Sequence, residues 1–271
     1  MKRNEIKTFV RKVKAFHAKA GRHHLPWRTT TNPYHVLVSE IMLQQTQVDR
    51  VLPKYEAFTH AFPTVRSLAD APFPKVLRIW NGLGYNRRAR FLHIAAKEIV
   101  SKHGGVFPRR YEDLVLLPGV GPYTAGAVSV FAFKQPLVLL ETNIRTVYLH
   151  EFFLEEKNVH DSELKPYIEA TLDREQPHEW YAALMDYGSF LKKATFNPSR
   201  KSAHYVRQKP FKGSLRQVRG KVLKALVHDA RTERALAKKI ELDASRVATA
   251  LSALHKDGLV ERQGRRWRLA T

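Results

Sequence analysis

From Val36 to Tyr55 the apolar positions recur at helical spacing. Leu37, Ile41, Gln44, Val48, Val51 and Tyr55 fall 4, 3, 4, 3 and 4 residues apart, which predicts one stripe along a single helix. The opening MKRNEIKTFVRKVKAF is amphipathic in the same way. Between helical-length segments the chain is punctuated at Leu25-Pro26, Asn32-Pro33, Phe62-Pro63, Phe73-Pro74, Gly82-Leu83-Gly84, Gly104-Gly105, Pro118-Gly119-Val120-Gly121 and Gln135-Pro136. Strand-like alternation is scarce, so residues 1–190 predict an all-α domain. From Ser214 onward the pattern changes to three short helices closed by a hairpin turning at Gln263-Gly264, the pattern of a winged helix. Its third helix, Ala244 to His255, would enter a DNA groove, with Arg262, Arg265, Arg266 and Arg268 arming the wing. Protein docking is the other use of such a module.

Composition narrows the class. With 271 residues, 44% hydrophobic and 10% aromatic, the chain can build a core, and the length predicts two domains at roughly 150 residues each. No apolar run reaches the roughly 18 residues that span a bilayer, so a soluble, cytoplasmic protein is expected, with no membrane partner. Zero Cys excludes disulfides, thiol nucleophiles and thiolate-held metal clusters. The 13 His are scattered, His23-His24 being the one adjacent pair, and predict no metal site.

Charge changes the picture more. Against 25 acids stand 47 Lys and Arg, a formal charge of +22, and residues 189–271 hold 21 of these bases against 6 acids. Between Asp186 and Asp229 there is no acid, while Lys192, Lys193, Arg200, Lys201, Arg207, Lys209, Lys212, Arg216, Arg219, Lys221 and Lys224 recur. Such a run predicts a phosphate track on nucleic acid. A solvated linker and a membrane surface are the alternatives, the latter disfavoured by the lack of an amphipathic moment.

Two features carry candidate chemistry. Glu40 lies beside the helical stripe with Val36, Leu37, Leu43 and Gln44 three and four positions away, so it has no basic partner on its own helix. Desolvation there would suit a general acid, whereas an exposed helix Glu is the plain reading. LPGVG at 117–121, followed by Pro122 in a first helical turn, predicts a helix-hairpin-helix. Its glycines would let backbone N–H groups approach a phosphate, with Gly119, Val120, Gly121 and Thr124 at the DNA.

SEIMLQQTQV at 39–48, NGLGYNRRAR at 81–90, LPGVGPYTAGAV at 117–128, ETNIRTV at 141–147 and MDYG at 185–188 occur in register. Together they resemble the helix-hairpin-helix (HhH-GPD) DNA glycosylases, most closely the MutY adenine glycosylases, over residues 5–190. The resemblance implies an all-α, two-lobed fold with a base flipped out of double-stranded DNA. Glu40 matches the acid that protonates the departing adenine, and Glu141 falls where the family has an aspartate that stabilises the oxocarbenium-like sugar. Asn143 matches a residue that orders that site. Tyr123 stands where bifunctional members carry a Schiff-base lysine, which implies base release without strand cleavage. Gln45 and Tyr85, with Leu83 close by, match residues that wedge into the base stack. Leu25, Trp27, Leu43 and Val48 match walls of the base pocket.

The chain also departs from that pattern. Glu141 is one methylene longer than Asp. Either the backbone has retreated to suit it, or turnover is slow, or Glu141 serves only as a helix-start residue. The positions expected for four iron-sulfur cysteines fall on Lys192, Ser199, Ser202 and Gln208, so no cofactor is expected. Direct phosphate contacts from Lys192, Lys193, Arg200 and Lys201 would replace the cluster loop. A winged helix stands where relatives carry a Nudix-like domain. The expected domains are 1–213, with a six-helix lobe at 31–133, a second lobe from 1–30 plus 134–190 and a basic remnant at 191–213, then the winged helix at 214–271. The sequence thus predicts a monomeric, monofunctional adenine glycosylase acting on adenine opposite 8-oxoguanine or guanine. A mismatch thymine or uracil glycosylase and a non-catalytic lesion-binding protein are the rivals.

Overall fold

The computed structural model describes residues 3–207 and 210–271. Gln208, the last of the four counted cluster positions, and Lys209 of the basic track lie outside the described residues. The helices run in chain order as α1 (Arg3–Ala20), α2 (Pro33–Leu43), α3 (Val48–Ala61), α4 (Val65–Ala69), α5 (Phe73–Trp80), α6 (Arg87–His103) and α7 (Tyr111–Val115). Then follow α8 (Pro122–Phe131), α9 (Thr142–Glu151), α10 (Asp161–Thr171), α11 (Pro177–Ala194), α12 (Leu215–Leu226), α13 (Glu233–Ile240) and α14 (Ala244–Lys256). Three short strands, β1 (Arg231–Thr232), β2 (Val260–Gln263) and β3 (Arg266–Leu269), complete the chain. No helix of the described residues is long and apolar enough to cross a membrane.

The chain divides into two compact units: residues 1–37, 109–116 and 120–207, and residues 38–108, 117–119 and 208–271. This division differs from the sequence boundary of 31–133 in placing 31–37, 109–116 and 120–133 with the first unit. In that first unit α11 packs on α9, α1 and α8 around an aromatic core. Phe9 of α1 meets the rings of Tyr148, Phe152 and Trp180 at 5.4, 5.0 and 5.9 Å between centroids. Phe9, Tyr148 and Trp180 are buried, and each such large side chain contributes about 1.5–3 kcal/mol. Tyr181 is buried in the same core, yet its hydroxyl donates to Leu137 O and accepts from Leu139 N, both at 2.9 Å. That pair fixes the non-helical strand of chain leading into Glu141.

The second unit has two parts. In one, α4 and α5 pack on α6, and α3 on α5, around Phe58, Phe62, Trp80 and Leu92. In the other, α12, α13 and α14 pack together against a sheet of order β1-β3-β2, all antiparallel. Ser214 and Thr232 cap α12 and α13 by accepting the Gln217 and Ala235 backbone N–H groups. The wing turns where expected, with Gly264 in the left-handed region at φ 59°. Three helices and this hairpin make the anticipated winged helix.

The single helix expected over Val36–Tyr55 is broken. α2 ends at Leu43 and α3 begins at Val48, and Gln45 between them is left-handed at φ 53°. The spacing from Gln44 to Val48 mimics a helical turn, but the carbonyls there are taken by a side chain from α6.

Candidate active site and nucleic-acid-facing loops

α2 is largely apolar, with Val36, Leu37, Val38, Ile41 and Met42 buried, so its last carbonyls end in a dry setting. Arg88 meets them. Its Nη1 donates to Ile41 O at 2.8 Å, Met42 O at 2.9 Å and Gln44 O at 2.5 Å. Its Nη2 donates to Thr46 Oγ1 at 3.0 Å and Gly84 O at 3.2 Å. The guanidinium also lies over the rings of Trp80 and Tyr85, 5.5 and 5.4 Å from their centroids. One cation thus ties the Gln44–Gln47 break to the Gly82–Tyr85 loop. Burial lowers the Arg88 pKa to about 10, offset in part by Tyr85.

Both loops carry a residue in a costly backbone conformation: Gln45 at φ 53° and Tyr85 at φ 46°. Non-glycine residues in this region cost on the order of 1–3 kcal/mol and persist where the surroundings fix them. Gln45 is exposed and Tyr85 is 37% exposed. Glu40 sits in the last turn of α2, half-buried, with half-buried Leu43 and Val48 following along the chain. Gly119 is left-handed at φ 77°, and a Cβ on it would lie 2.5 Å from Phe91 Cβ, so the hairpin turn needs glycine there.

In the first unit, Glu141 is the N-cap of α9. Its Oε1 accepts the Asn143 and Ile144 backbone N–H groups at 2.7 and 2.9 Å, and its Oε2 accepts Asn143 Nδ2 at 3.2 Å. Three donors and the positive end of a helix meet its two oxygens. Gly188 lets α11 approach this helix start: a Cβ there would fall 2.2 Å from Asn143 O. One turn further along the same face of α11 is Lys192. Burial lowers its pKa, and the Glu141 carboxylate pulls the other way. Glu141 and Asn143 are therefore held together as one group, on a backbone that α11 braces.

The MDYG block holds a second ionic centre. Asp186 has a side chain 2% exposed; its Oδ1 accepts Arg22 Nε at 2.7 Å and Arg28 Nη2 at 3.2 Å, and its Oδ2 accepts Arg22 N at 2.9 Å. His17 Nδ1 lies 3.4 Å from Oδ2. Burial opposes ionisation of Asp186, but Arg28 and Arg22 outweigh it and hold the carboxyl below its ordinary value.

Several expectations are corrected. Leu83 is 2% exposed and belongs to the core, unlike the exposed Gln45 and Tyr85 grouped with it in the sequence. Lys201 donates to Phe153 O and Leu154 O, satisfying carbonyls just past α9, and is not spare for phosphate. Lys192 is turned partly inward beside Glu141, whereas Lys193 and Arg200 are exposed. Val120 and Thr124 are buried, which leaves the backbone and exposed Gly121 as the hairpin's outward features. Tyr123 is half-buried in the first turn of α8. Leu25 and Trp27 are buried in the first unit, as pocket wall or core would be.

The positions counted for a cluster do not fit one. Ser199 Oγ donates to Asn197 Oδ1 at 2.7 Å and Ser202 Oγ accepts His204 N at 3.0 Å, so these hydroxyls serve local turns. An amine and two hydroxyls are no ligand set for iron-sulfur, and among the described residues no three His, Asp or Glu cluster as metal ligands.

Residues 38–170 match the family model described as the HhH-GPD superfamily base excision DNA repair protein. The chain is 37% identical over 175 residues to the adenine DNA glycosylase of Buchnera aphidicola subsp. Baizongia pistaciae, covering 63% of this chain and 49% of that one. It is 44% identical over 128 residues to that of Mycolicibacterium smegmatis, covering 47% and 44% respectively. The chain spans about half the length of the curated relatives it matches. Among solved structures, a thermostable thymine-DNA glycosylase aligns with a TM-score of 0.62 at 26% identity, covering 69% of this chain and 87% of that one. Residues 38–170 are thus similar to the HhH-GPD superfamily of base excision DNA repair proteins, and the chain is similar to the adenine DNA glycosylases.

Proposed function

We propose that the protein is a monofunctional adenine DNA glycosylase acting as a monomer on duplex DNA in which adenine lies opposite guanine or 8-oxoguanine. The observation that carries this reading is the Glu141–Asn143 group. Its carboxylate is held by two backbone donors and one amide, ready to face positive charge developing on a sugar. Glu40 gives its proton to adenine as the C1′–N9 bond breaks and the bonding electrons leave with the base. Glu141 stabilises the oxocarbenium-like sugar, and water adds at C1′ with loss of its proton to the Glu40 carboxylate. The extra methylene of Glu141 is absorbed by its reach back to the N–H groups of its own helix. Tyr123 offers no amine, so the abasic strand stays intact. The reaction needs no iron.

Incubation with duplexes holding A:8-oxoG, A:G, T:G or U:G, followed by strand analysis with and without alkali, tests the reading. Alkali-dependent breaks at adenine alone, abolished by Glu40→Gln, are expected from a colourless, iron-free protein. The structural likeness to a thymine-DNA glycosylase supports a second reading, and preferential breaks at T:G or U:G would establish it instead. Tight binding without any break would leave a lesion-binding protein.

A further inference from the structure

The segment that follows α11 in the first unit holds a large apolar ring out in water. Phe196 is 76% exposed, although the chain on either side of it is fixed. Before it, Thr195 closes α11 by donating from its backbone N and its Oγ1 to Leu191 O, at 3.0 and 2.8 Å. After it, Pro198 and Ser199 are buried in a 3-10 turn over Pro198–Lys201, and Ser199 N donates to Asn197 Oδ1 at 3.1 Å. The end of that turn is tied to the chain past α9: Val159 N donates to Lys201 O and Ala203 N to Val159 O, both at 2.9 Å. The backbone thus presents the ring to solvent, where a free chain would turn it inward.

A single exposed ring is ordinary on a protein surface, but this one has a planar cation placed over it. The Arg200 guanidinium lies 4.7 Å from the Phe196 centroid. Arg200 is itself exposed, and its stretch of chain is positive: no acid occurs between Asp186 and Asp229, and exposed Lys193 and Arg207 flank it in sequence. Composition alone counts Arg200 as a point charge for a phosphate, whereas its flat face here belongs to a flat aromatic surface. What suits a ring and a guanidinium plane within a positive stretch is another flat π-system next to negative charge. A nucleobase between its phosphates has that form. Inside a duplex both faces of a base are covered by its neighbours in the stack, so an unpaired base is the one with a face to offer.

We propose that Phe196 and Arg200 form a stacking platform for an unpaired nucleotide of single-stranded DNA, with the surrounding bases drawing in its phosphates. This inference does not rest on the adenine glycosylase reading, since the platform involves neither Glu40 nor the Glu141–Asn143 group.

The test is binding of the full chain, read by fluorescence anisotropy at one fixed salt concentration, to three labelled probes. These are an oligothymidine of about 12 nucleotides, a strand of the same length built of abasic tetrahydrofuran units, and a fully paired duplex. The wild type is expected to bind the oligothymidine about tenfold more tightly than the abasic strand, which has the same phosphates and no bases. Phe196→Ala abolishes that difference and leaves the abasic strand and the duplex within about twofold of wild type, which also shows that the variant is folded. Phe196→Leu, apolar but without a ring face, behaves as Phe196→Ala does, and Phe196→Trp keeps the wild-type affinity or exceeds it. Three results would overturn the proposal: wild-type affinity for oligothymidine in Phe196→Ala, full retention in Phe196→Leu, or equal weakening by Phe196→Ala on all three probes. The last would mean a contact with the sugar–phosphate backbone, paired or not.

Discussion

Two buried charges organise the two units, and they are neutralised by opposite means. Asp186 in the first unit meets formal charge from Arg22 and Arg28, with the His17 ring alongside. Arg88 in the second meets neutral oxygens, five of them backbone carbonyls, two in the last turn of α2 and one just past it. A helix C-terminus carries partial negative charge, so aligned dipoles stand in for a counter-ion. Each centre joins segments distant in sequence, residues 17–28 to α11 in one case and 41–46 to 84–88 in the other. The Asp186 centre depends on the signs of its partners and tolerates some change of geometry. The Arg88 centre depends on direction, because only a planar fork reaches so many acceptors at once.

Breaking the directional centre has the larger effect. Arg88→Met leaves the carbonyls of Ile41, Met42, Gln44 and Gly84 without their donor, and urea unfolding at pH 7 should show a loss of about 3–5 kcal/mol. Arg88→Lys should recover only a minor part, since an ammonium cannot span both loops. A lysine variant within about 0.5 kcal/mol of wild type would refute the directional account. Asp186→Asn removes the charge that Arg22 and Arg28 share. Because Arg22 is partly open to water, its cost should be smaller, about 2–3 kcal/mol by the same measurement. Gly188→Ala comes next. The added methyl meets the Asn143 carbonyl, so α11 must retreat at a cost of about 1–3 kcal/mol. If Glu141 and Asn143 form the sugar site, single-turnover excision should then fall by about a hundredfold, because the carboxylate is displaced with its helix.

The contrast also explains what could be read from the chain alone. Glu141 and Asn143 are two residues apart, so their pairing is local and legible in ETNIRTV. Gln45 and Tyr85 were marked by their blocks as well. Arg88 stands in the quoted NGLGYNRRAR but shows no sign of its role there, because three of its acceptors are backbone carbonyls more than forty residues earlier, which leave no trace in side-chain pattern. The same invisibility hid the break at Gln44–Gln47, where the apolar spacing runs straight through. Lys192 and Lys201 read as phosphate contacts because composition records charge and not direction: Lys192 turns partly toward Glu141, and Lys201 turns toward carbonyls past α9. Gly188 was noticed as part of MDYG, yet its reason, the close approach of α9, is a tertiary fact.

The smallest effect separates the two centres most cleanly, because it depends on pH. Asp186 has a folded pKa below its ordinary carboxylate value, so its contribution is fully present above about pH 4 and is lost as pH falls through the folded value. Burial lowers the pKa of His17 despite the pull of Asp186. The unfolded chain therefore takes up a proton below about pH 6.5 that the folded chain resists, and stability again declines toward acid. Arg88, with a folded pKa of about 10, exchanges no proton between pH 3 and 8. The stability difference between wild type and Arg88→Met should thus stay flat across that range. Between wild type and Asp186→Asn it should shrink by about 1 kcal/mol from pH 5 to pH 3, as the wild type loses the charge that the variant never had. His17 works against this only near pH 6, where its lower pKa in the variant steepens that limb. Urea midpoints for the three proteins at half-unit pH intervals give the answer, and a flat Asp186→Asn difference would mean that the carboxylate carries no net weight in the fold.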